Sequence, residues 1–197
     1  SSEMVVIVGN TITASTIAAA STDEPEPRLL RSAISGVRTM VSMKHVGVNV
    51  AADPLMTLAY LGVRGGMVII SADDPSLFSS QNEQDNRYYA RLASLPMLEP
   101  ANAQEMKDFT VFAFDLSEEL ELPVILRTTT RLNHVRGPVE LGKLRPIEAK
   151  STFIKNPFHF VAVPAVSRKL HKELLEKFDR AAEKAESSGL SKITGNG

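Results

Sequence analysis

Three polar groups of residues could do chemistry, and each follows a run of strand-forming apolar side chains. Lys44, His45 and Asn49 follow Thr39–Met43. Asp73 to Asp85, with Ser79, Ser80, Gln81, Asn82, Glu83 and Gln84, follows Met67–Ile70, and Arg127 to His134 (RTTTRLNH) follows Pro123–Leu126. Together these side chains can donate and accept hydrogen bonds, polarise a carbonyl and hold an anion, for which arginine's planar fork is suited. In an open α/β sheet ligands bind in the crevice outside the carboxyl ends of the strands, so three such loops outline the edge of a site. It is a site without an evident nucleophile. The four histidines, at 45, 134, 159 and 171, do not cluster by spacing, and neither G-x-S-x-G nor H-E-x-x-H occurs. Neither G-x-G-x-x-G after a strand nor G-x-x-x-x-G-K-[ST] occurs, so the chain has no standard phosphate cradle of its own. With no cysteine, disulfides, thiolate zinc sites and internally ligated iron–sulfur clusters are excluded, and no metal ligand set is assigned.

The elements that must position these groups alternate between strand and helix. MVVIV within Ser1–Val8 reads as a first strand, residues 11–22 as a threonine-weakened helix, and Asp23–Arg28 (DEPEPR) as an exposed loop. Leu29, Leu30, Ala33 and Ile34 have helical spacing up to Gly36. Thr39–Met43 is a buried strand, and Asp53 before Pro54 caps a helix running to about Tyr60. Gly65 and Gly66 lead into Met67–Ile70, an unbroken apolar run typical of a strand buried on both faces. A helical pattern resumes at Tyr89, Leu92 and Ala93, and Leu95–Leu98 is a further strand. Asn102 and Glu105 form a capping box for a helix whose inner face is Met106, Phe109, Ala113, Leu116 and Leu120. Pro123–Leu126 is a strand, GPVELGKLRPIEAK an irregular connection, and Phe158–Val163 a last strand by alternation. Ser167 caps a final helix stopped by Gly189, whose Glu173–Lys177 and Glu176–Arg180 pairs mark a solvated face. The alternation predicts an α/β fold of three layers, a mainly parallel sheet with helices on both faces. Residues 1–190 form one domain and 191–197 a C-terminal tail or linker.

Charge and hydropathy narrow the function classes. Twenty-two lysines and arginines against 23 acids leave a net charge of -1, which disfavours a nucleic-acid surface. No apolar run is long enough to span a bilayer and no leader-like segment is evident, which predicts a cytoplasmic protein.

VSMKHVGVNVAADPLMTLAY, SADDPSLFSSQNEQDNRYYA and LPVILRTTTRLNH resemble the matching segments of the thiamine-diphosphate-dependent 2-oxoacid:ferredoxin oxidoreductases, in particular alpha subunits acting on indolepyruvate. FIKNPFHFVAVPAVSRKLHKELLEKF resembles the segment that closes their first domain, so the resemblance spans roughly residues 34–190. It implies the pyrimidine-binding domain, a parallel sheet between helices that contributes one wall of the thiamine site. It further implies that the diphosphate and Mg²⁺ are held by a diphosphate-binding domain, and that the iron–sulfur clusters lie elsewhere in the complex. These 197 residues then resemble a first domain or fragment, inactive by itself.

The activity so implied is oxidative decarboxylation of indolepyruvate or another aryl pyruvate, with electrons passing through clusters to ferredoxin and the acyl group to coenzyme A. Implied partners are diphosphate-binding and iron–sulfur domains or subunits and a beta subunit, in an oligomer. On the same basis His45 and Asn49 lie near the reacting carbon, and Lys44, Gly47, Gln81, Gln84 and Asp85 line the cofactor. Arg87, Arg127, Thr128 and Arg131 meet the substrate carboxylate or coenzyme A. The family's activating glutamate has its nearest counterpart in Glu24 or Glu26, within a proline-bearing stretch unlike the family's helix. Plainer readings stand beside these: His45 as a structural histidine, Asp73 and Asp74 as a turn, Gln81–Asp85 as a helix cap, and Arg127 and Arg131 as ion-pair partners of another subunit. So do two other functions, a non-catalytic interaction module with this fold and half of a non-oxidative thiamine enzyme.

Overall fold

A computed structural model describes residues 5–7, 33–142, 152 and 154–190. Five strands, Val5–Ile7 (β1), Thr39–Lys44 (β2), Met67–Asp73 (β3), Met97–Leu98 (β4) and Val124–Thr129 (β5), form one sheet in the order β1-β2-β3-β5-β4. Every pairing is parallel. The α-helices lying wholly within the described residues are His45–Val50 (α1), Ala52–Leu61 (α2), Arg87–Ala93 (α3), Ala103–Leu120 (α4), Thr130–Asn133 (α5), Pro157–Phe160 (α6) and Pro164–Ser187 (α7), with a short 3-10 turn at Pro75–Leu77.

The central strands are the most apolar stretches because both of their faces are covered. Met67, Val68 and Ile69 of β3 and Val124, Ile125 and Leu126 of β5 are all buried, with α4 packed against both strands. The α4 stripe of Phe109, Ala113, Leu116 and Leu120 is what faces them. From β2 to β3 and on to β4 the chain advances across the sheet; from β4 to β5 it steps back. Right-handed crossovers therefore send α1, α2 and α3 to one face and α4 to the other. Half of the capping box at the start of α4 forms: Glu105 N–H donates to Asn102 Oδ1 at 2.9 Å, but the Glu105 carboxylate accepts from Asn102 Nδ2 at 2.9 Å and from the Ala101 amide at 2.8 Å instead of from the Asn102 amide. At Gly65 an added Cβ would lie 2.4 Å from the Val37 carbonyl oxygen, so only glycine lets the start of β3 pass this close to the start of β2.

Four expectations need correction. Phe158–Val163 is not a strand: Pro157 opens the short α6, whose His159 and Phe160 amides donate to Asn156 O, and Phe158 is 80% exposed. The alternation was real, but no described strand pairs with it, and a proline at the first helical position favours a turn. The last helix begins before Ser167, at Pro164, where the same proline preference acts; the Ser167 amide already donates to Val163 O at 2.8 Å. Asp53 does not cap α2, whose N-cap is Ala51; it sits in the first turn, where its charge still favours the helix dipole. Lastly, the charged face of α7 is not simply solvated. Lys184 pairs with Glu119 at 2.7 Å, Lys177 with Glu121 at 3.5 Å, and Arg180 donates to Glu119 O at 3.3 Å, strapping α7 to the end of α4. Glu173 pairs with Lys169 instead of Lys177.

β1 falls inside MVVIV, and Ala33 and Ile34 are helical ahead of Gly36 at φ 88. The expected helix 11–22, the loop 23–28 with Glu24 and Glu26, and the tail 191–197 lie outside the described residues.

Candidate functional site

β2, β3 and β5 end side by side, Lys44 opposite Ala72 and Asp73 opposite Thr129, so the residues that follow them share one rim. β3 carries a serine and an aspartate into its buried end, and β5 carries an arginine opposite that serine. The outcome is a polar network under the rim. Arg127 Nε donates to Asp73 Oδ2 at 2.7 Å, the Ser71 hydroxyl donates to Asp73 Oδ1 at 2.8 Å, and the Asn86 amide donates to Asp73 Oδ2 at 3.1 Å. Asn86 Nδ2 donates to Ser71 Oγ at 2.8 Å. Arg127 also donates to Glu99 and lies 3.8 Å from Asp85.

Asp74 organises a second network, in the loop itself. Its carboxylate accepts from the Ser80 hydroxyl at 2.6 Å, the Thr130 hydroxyl at 2.7 Å and the Ser79 amide at 2.8 Å. Those bonds, that to Ser80 first, hold its carboxyl far below the usual carboxylate range, and the charge of Lys44 adds to them. Lys44 Nζ donates to Ser79 O at 2.9 Å, and the Ser76 amide to Glu83 Oε2 at 3.0 Å. Ser76 and Leu77 both have positive φ, 68° and 61°, a conformation that persists only when surrounding bonds hold it.

Beneath this loop sits His45, the first residue of α1, wholly buried. Its Nε2 lies 2.9 Å from the Asn82 carbonyl oxygen, while its Nδ1 has no hydrogen-bond partner among the described residues. Lys44, His45, Gln84, Asp85 and Arg127 are thus gathered around one loop. Gln84 Nε2 donates to Asn82 Oδ1 at 2.7 Å. Asp85 binds Arg87 Nε at 2.8 Å, which lowers the carboxyl and raises the guanidinium from their ordinary pKa values. Asp85 also accepts from the Arg87 amide at 3.1 Å, one residue ahead of the N-cap Asn86, whose own side chain makes no capping bond. Thr128 is buried, its hydroxyl donating to Ser71 O at 3.5 Å. Asn49 is exposed at the end of α1 and accepts from the Tyr89 hydroxyl. Gly47 lies over Met43, close enough that a Cβ would sit 3.1 Å from that residue's own. Gln81 and Arg131 are exposed, and their side chains make no hydrogen bond or ion pair among the described residues. Sequence reasoning missed the Asp73–Arg127 couple, although opposite charges inside two apolar runs were a visible cue.

The family model for "Pyruvate flavodoxin/ferredoxin oxidoreductase, thiamine diP-bdg" matches residues 32–179. The chain is 56% identical over 162 residues to the indolepyruvate oxidoreductase subunit IorA of Methanothermobacter marburgensis, covering 82% of this chain and 26% of that protein. It is 50% identical over 161 residues to the protein of the same name from Archaeoglobus fulgidus, covering 81% and 26%. It thus spans about a quarter of the length of these relatives. The 2-oxoglutarate:ferredoxin oxidoreductase of Magnetococcus marinus shares the fold, with a TM-score of 0.56 at 12% identity over 92% of this chain and 38% of that one. A family match over well more than half of the chain, together with a parallel sheet whose strand ends carry one polar rim, makes this chain a member of the pyruvate flavodoxin/ferredoxin oxidoreductase thiamine-diphosphate-binding family.

Proposed function

We propose that this chain is the pyrimidine-side wall of the thiamine diphosphate site in a 2-oxoacid:ferredoxin oxidoreductase. The observation that carries the reading is the family match across the segments that build the rim, residues 32–179. The rim's chemistry supports which part of the cofactor it meets. It is crowded with carboxylates, Asp73, Asp74, Glu83, Asp85 and Glu99, while the Lys44 ammonium is bonded to a carbonyl and Arg127 is paired with Asp73. With Arg87 paired to Asp85 as well, such a surface has few unpaired cations to hold a diphosphate. It suits a neutral ring with N–H donors, for which the unpartnered Nδ1 of His45 is a ready acceptor. The residues present therefore fit the aminopyrimidine end, and the diphosphate with its Mg²⁺ belongs to another domain.

When bound, thiamine diphosphate supplies the nucleophilic carbon and the electron sink for decarboxylating a 2-oxoacid. The chain's own residues hold and orient: His45 and Asn49 nearest the ring, Gln81 and Gln84 at the margin of the loop. Lys44 and Asp85 act one step back by fixing that loop, and Gly47 lets α1 lie close over β2. Arg127 and Thr128 brace the strand ends; Arg131, exposed and without a described side-chain partner, is the cation to meet an incoming carboxylate or coenzyme A, with Arg87, exposed but paired with Asp85, beside it only if that pair opens. Glu24, outside the described residues, is the nearest candidate for the activating acid. Relatives named for indolepyruvate support an aryl pyruvate as substrate. Partners in this reading are the diphosphate-binding and iron–sulfur domains, a beta subunit and ferredoxin, in a cytoplasmic oligomer; no described helix is long and apolar enough to cross a membrane. Titration calorimetry tests it. Thiamine diphosphate with Mg²⁺ should bind the chain only when the diphosphate-binding partner is present, and equal binding without the partner overturns the division of labour.

A further inference from the structure

We infer that Asp74 is a positioning residue: through the loop it gathers, it locks His45 in the Nε2–H tautomer, so that Nδ1 presents a buried lone pair to an N–H or O–H donor of the bound ligand. The ligand half of this rests on the reading above; the tautomer half stands on the geometry alone.

A carbonyl oxygen has no proton to give, so the 2.9 Å contact between His45 Nε2 and Asn82 O is a hydrogen bond only if Nε2 carries the proton. In that form of the imidazole, Nδ1 is an acceptor. It is also buried and without a partner among the described residues, in a ring that is 0% exposed. A buried acceptor left unpaired costs about 1–3 kcal/mol, so it is a place where a donor is expected. The Asn82 carbonyl cannot hold the ring by itself, because Asn82 is exposed in a loop that includes two left-handed non-glycine residues. What fixes the loop is Asp74. Its two oxygens take three donors, two from Ser79 and Ser80 inside the loop and one from Thr130, the first residue beyond β5. Lys44, next to His45 in the chain, adds the only other described strap on Ser79, through that residue's carbonyl. The clamp therefore ties the loop to the same strand ends that carry the histidine. A carboxylate suits this best, because it accepts all three bonds with a full charge, whereas a carboxamide keeps one acceptor oxygen and no charge.

The experiment is ¹⁵N-detected histidine spectroscopy on the 197-residue chain. Wild type should show His45 Nε2 as a proton-bearing nitrogen and Nδ1 as a lone-pair nitrogen, without averaging. In Asp74→Asn the two resonances should move toward each other as the tautomers mix. The Ser79 amide should exchange at least about tenfold faster, the loss expected for one charge-assisted hydrogen bond. Simple destabilisation at a distance would leave the tautomer as it is. If Asp74→Asn does not fold, Ser80→Ala and Lys44→Met decide, since each removes one strap and keeps the carboxylate. An Nδ1–H tautomer in wild type, averaged nitrogens in wild type, or an unchanged His45 spectrum in the folded variants overturns the inference. The measurement needs no cofactor, so its failure is separate from failure of the thiamine reading.

Discussion

Arg127 Nε donates to Asp73 Oδ2 at 2.7 Å between the adjacent ends of β5 and β3, with side chains 4% and 1% exposed. Two charges so far from water are costly to desolvate, and the pair persists because Ser71, Asn86 and Glu99 satisfy what remains of both partners. The couple fixes the chain at both ends of the rim loop: Asp73 immediately precedes the loop, and Asn86, bonded to it, immediately precedes α3.

Breaking that couple from one side should be severe. Asp73→Ala or Arg127→Ala should lower unfolding free energy by about 3–5 kcal/mol, since each strips a buried charge of its most buried ionic partner. The double substitution Asp73→Leu/Arg127→Met should cost less than either single. Denaturant unfolding of the three variants checks the order.

Acid, not alkali, should release the rim loop. The Asp74 carboxyl lies below its ordinary value of 3.8 when folded, so its contribution is complete above that value and is lost as pH falls toward the lower folded one. Following the Ser79 amide by nuclear magnetic resonance, the loop should hold its native position at pH 5 and begin to loosen only below about pH 4. In Asp74→Asn this acid transition should be absent.

Two substitutions at His45 separate its two nitrogens. Glutamine can reach the Nε2 position and donate to Asn82 O but carries no acceptor where Nδ1 lies; asparagine does the reverse. In the assembled enzyme His45→Gln should lower kcat/KM by about 10²-fold, a loss of about 2.7 kcal/mol, with His45→Asn retaining more activity despite a looser loop. Steady-state kinetics on the two variants distinguishes them.

The two readings of residues 158–163 differ in one sensitivity, that of Phe158, against which Leu174 serves as a buried reference. Leu174, 3% exposed and part of the core, should cost about 2–5 kcal/mol when changed to alanine. Phe158→Ser, at a position 80% exposed, should stay within about 0.5 kcal/mol of wild type. A buried strand at 158–163 would have made both changes costly. Thermal unfolding compares them.

Much of this architecture could be read from local pattern. Met67–Ile70 announced a strand covered on both faces, Asn102 and Glu105 the start of α4, and the polar runs beyond β2, β3 and β5 the position of the rim. What could not be read depends on register between distant segments. Asp73 and Arg127 are 54 residues apart and meet only because Ser71 pairs with Arg127 across β3 and β5. The same holds for His45: its type and place were legible, but its burial beneath Asn82, 37 residues later, was not. At Phe158–Val163 alternation misled because a strand needs a neighbour as well as a pattern.

Decarboxylation of indolepyruvate, followed as CO₂ released in the presence of thiamine diphosphate, Mg²⁺ and an electron acceptor, tests the central claim most directly. The isolated chain should give none, and adding the proposed diphosphate-binding and iron–sulfur partners should bring turnover that is lost again when this chain is left out. Turnover by the isolated chain, or undiminished turnover in its absence, would contradict a shared site of which this chain is one wall.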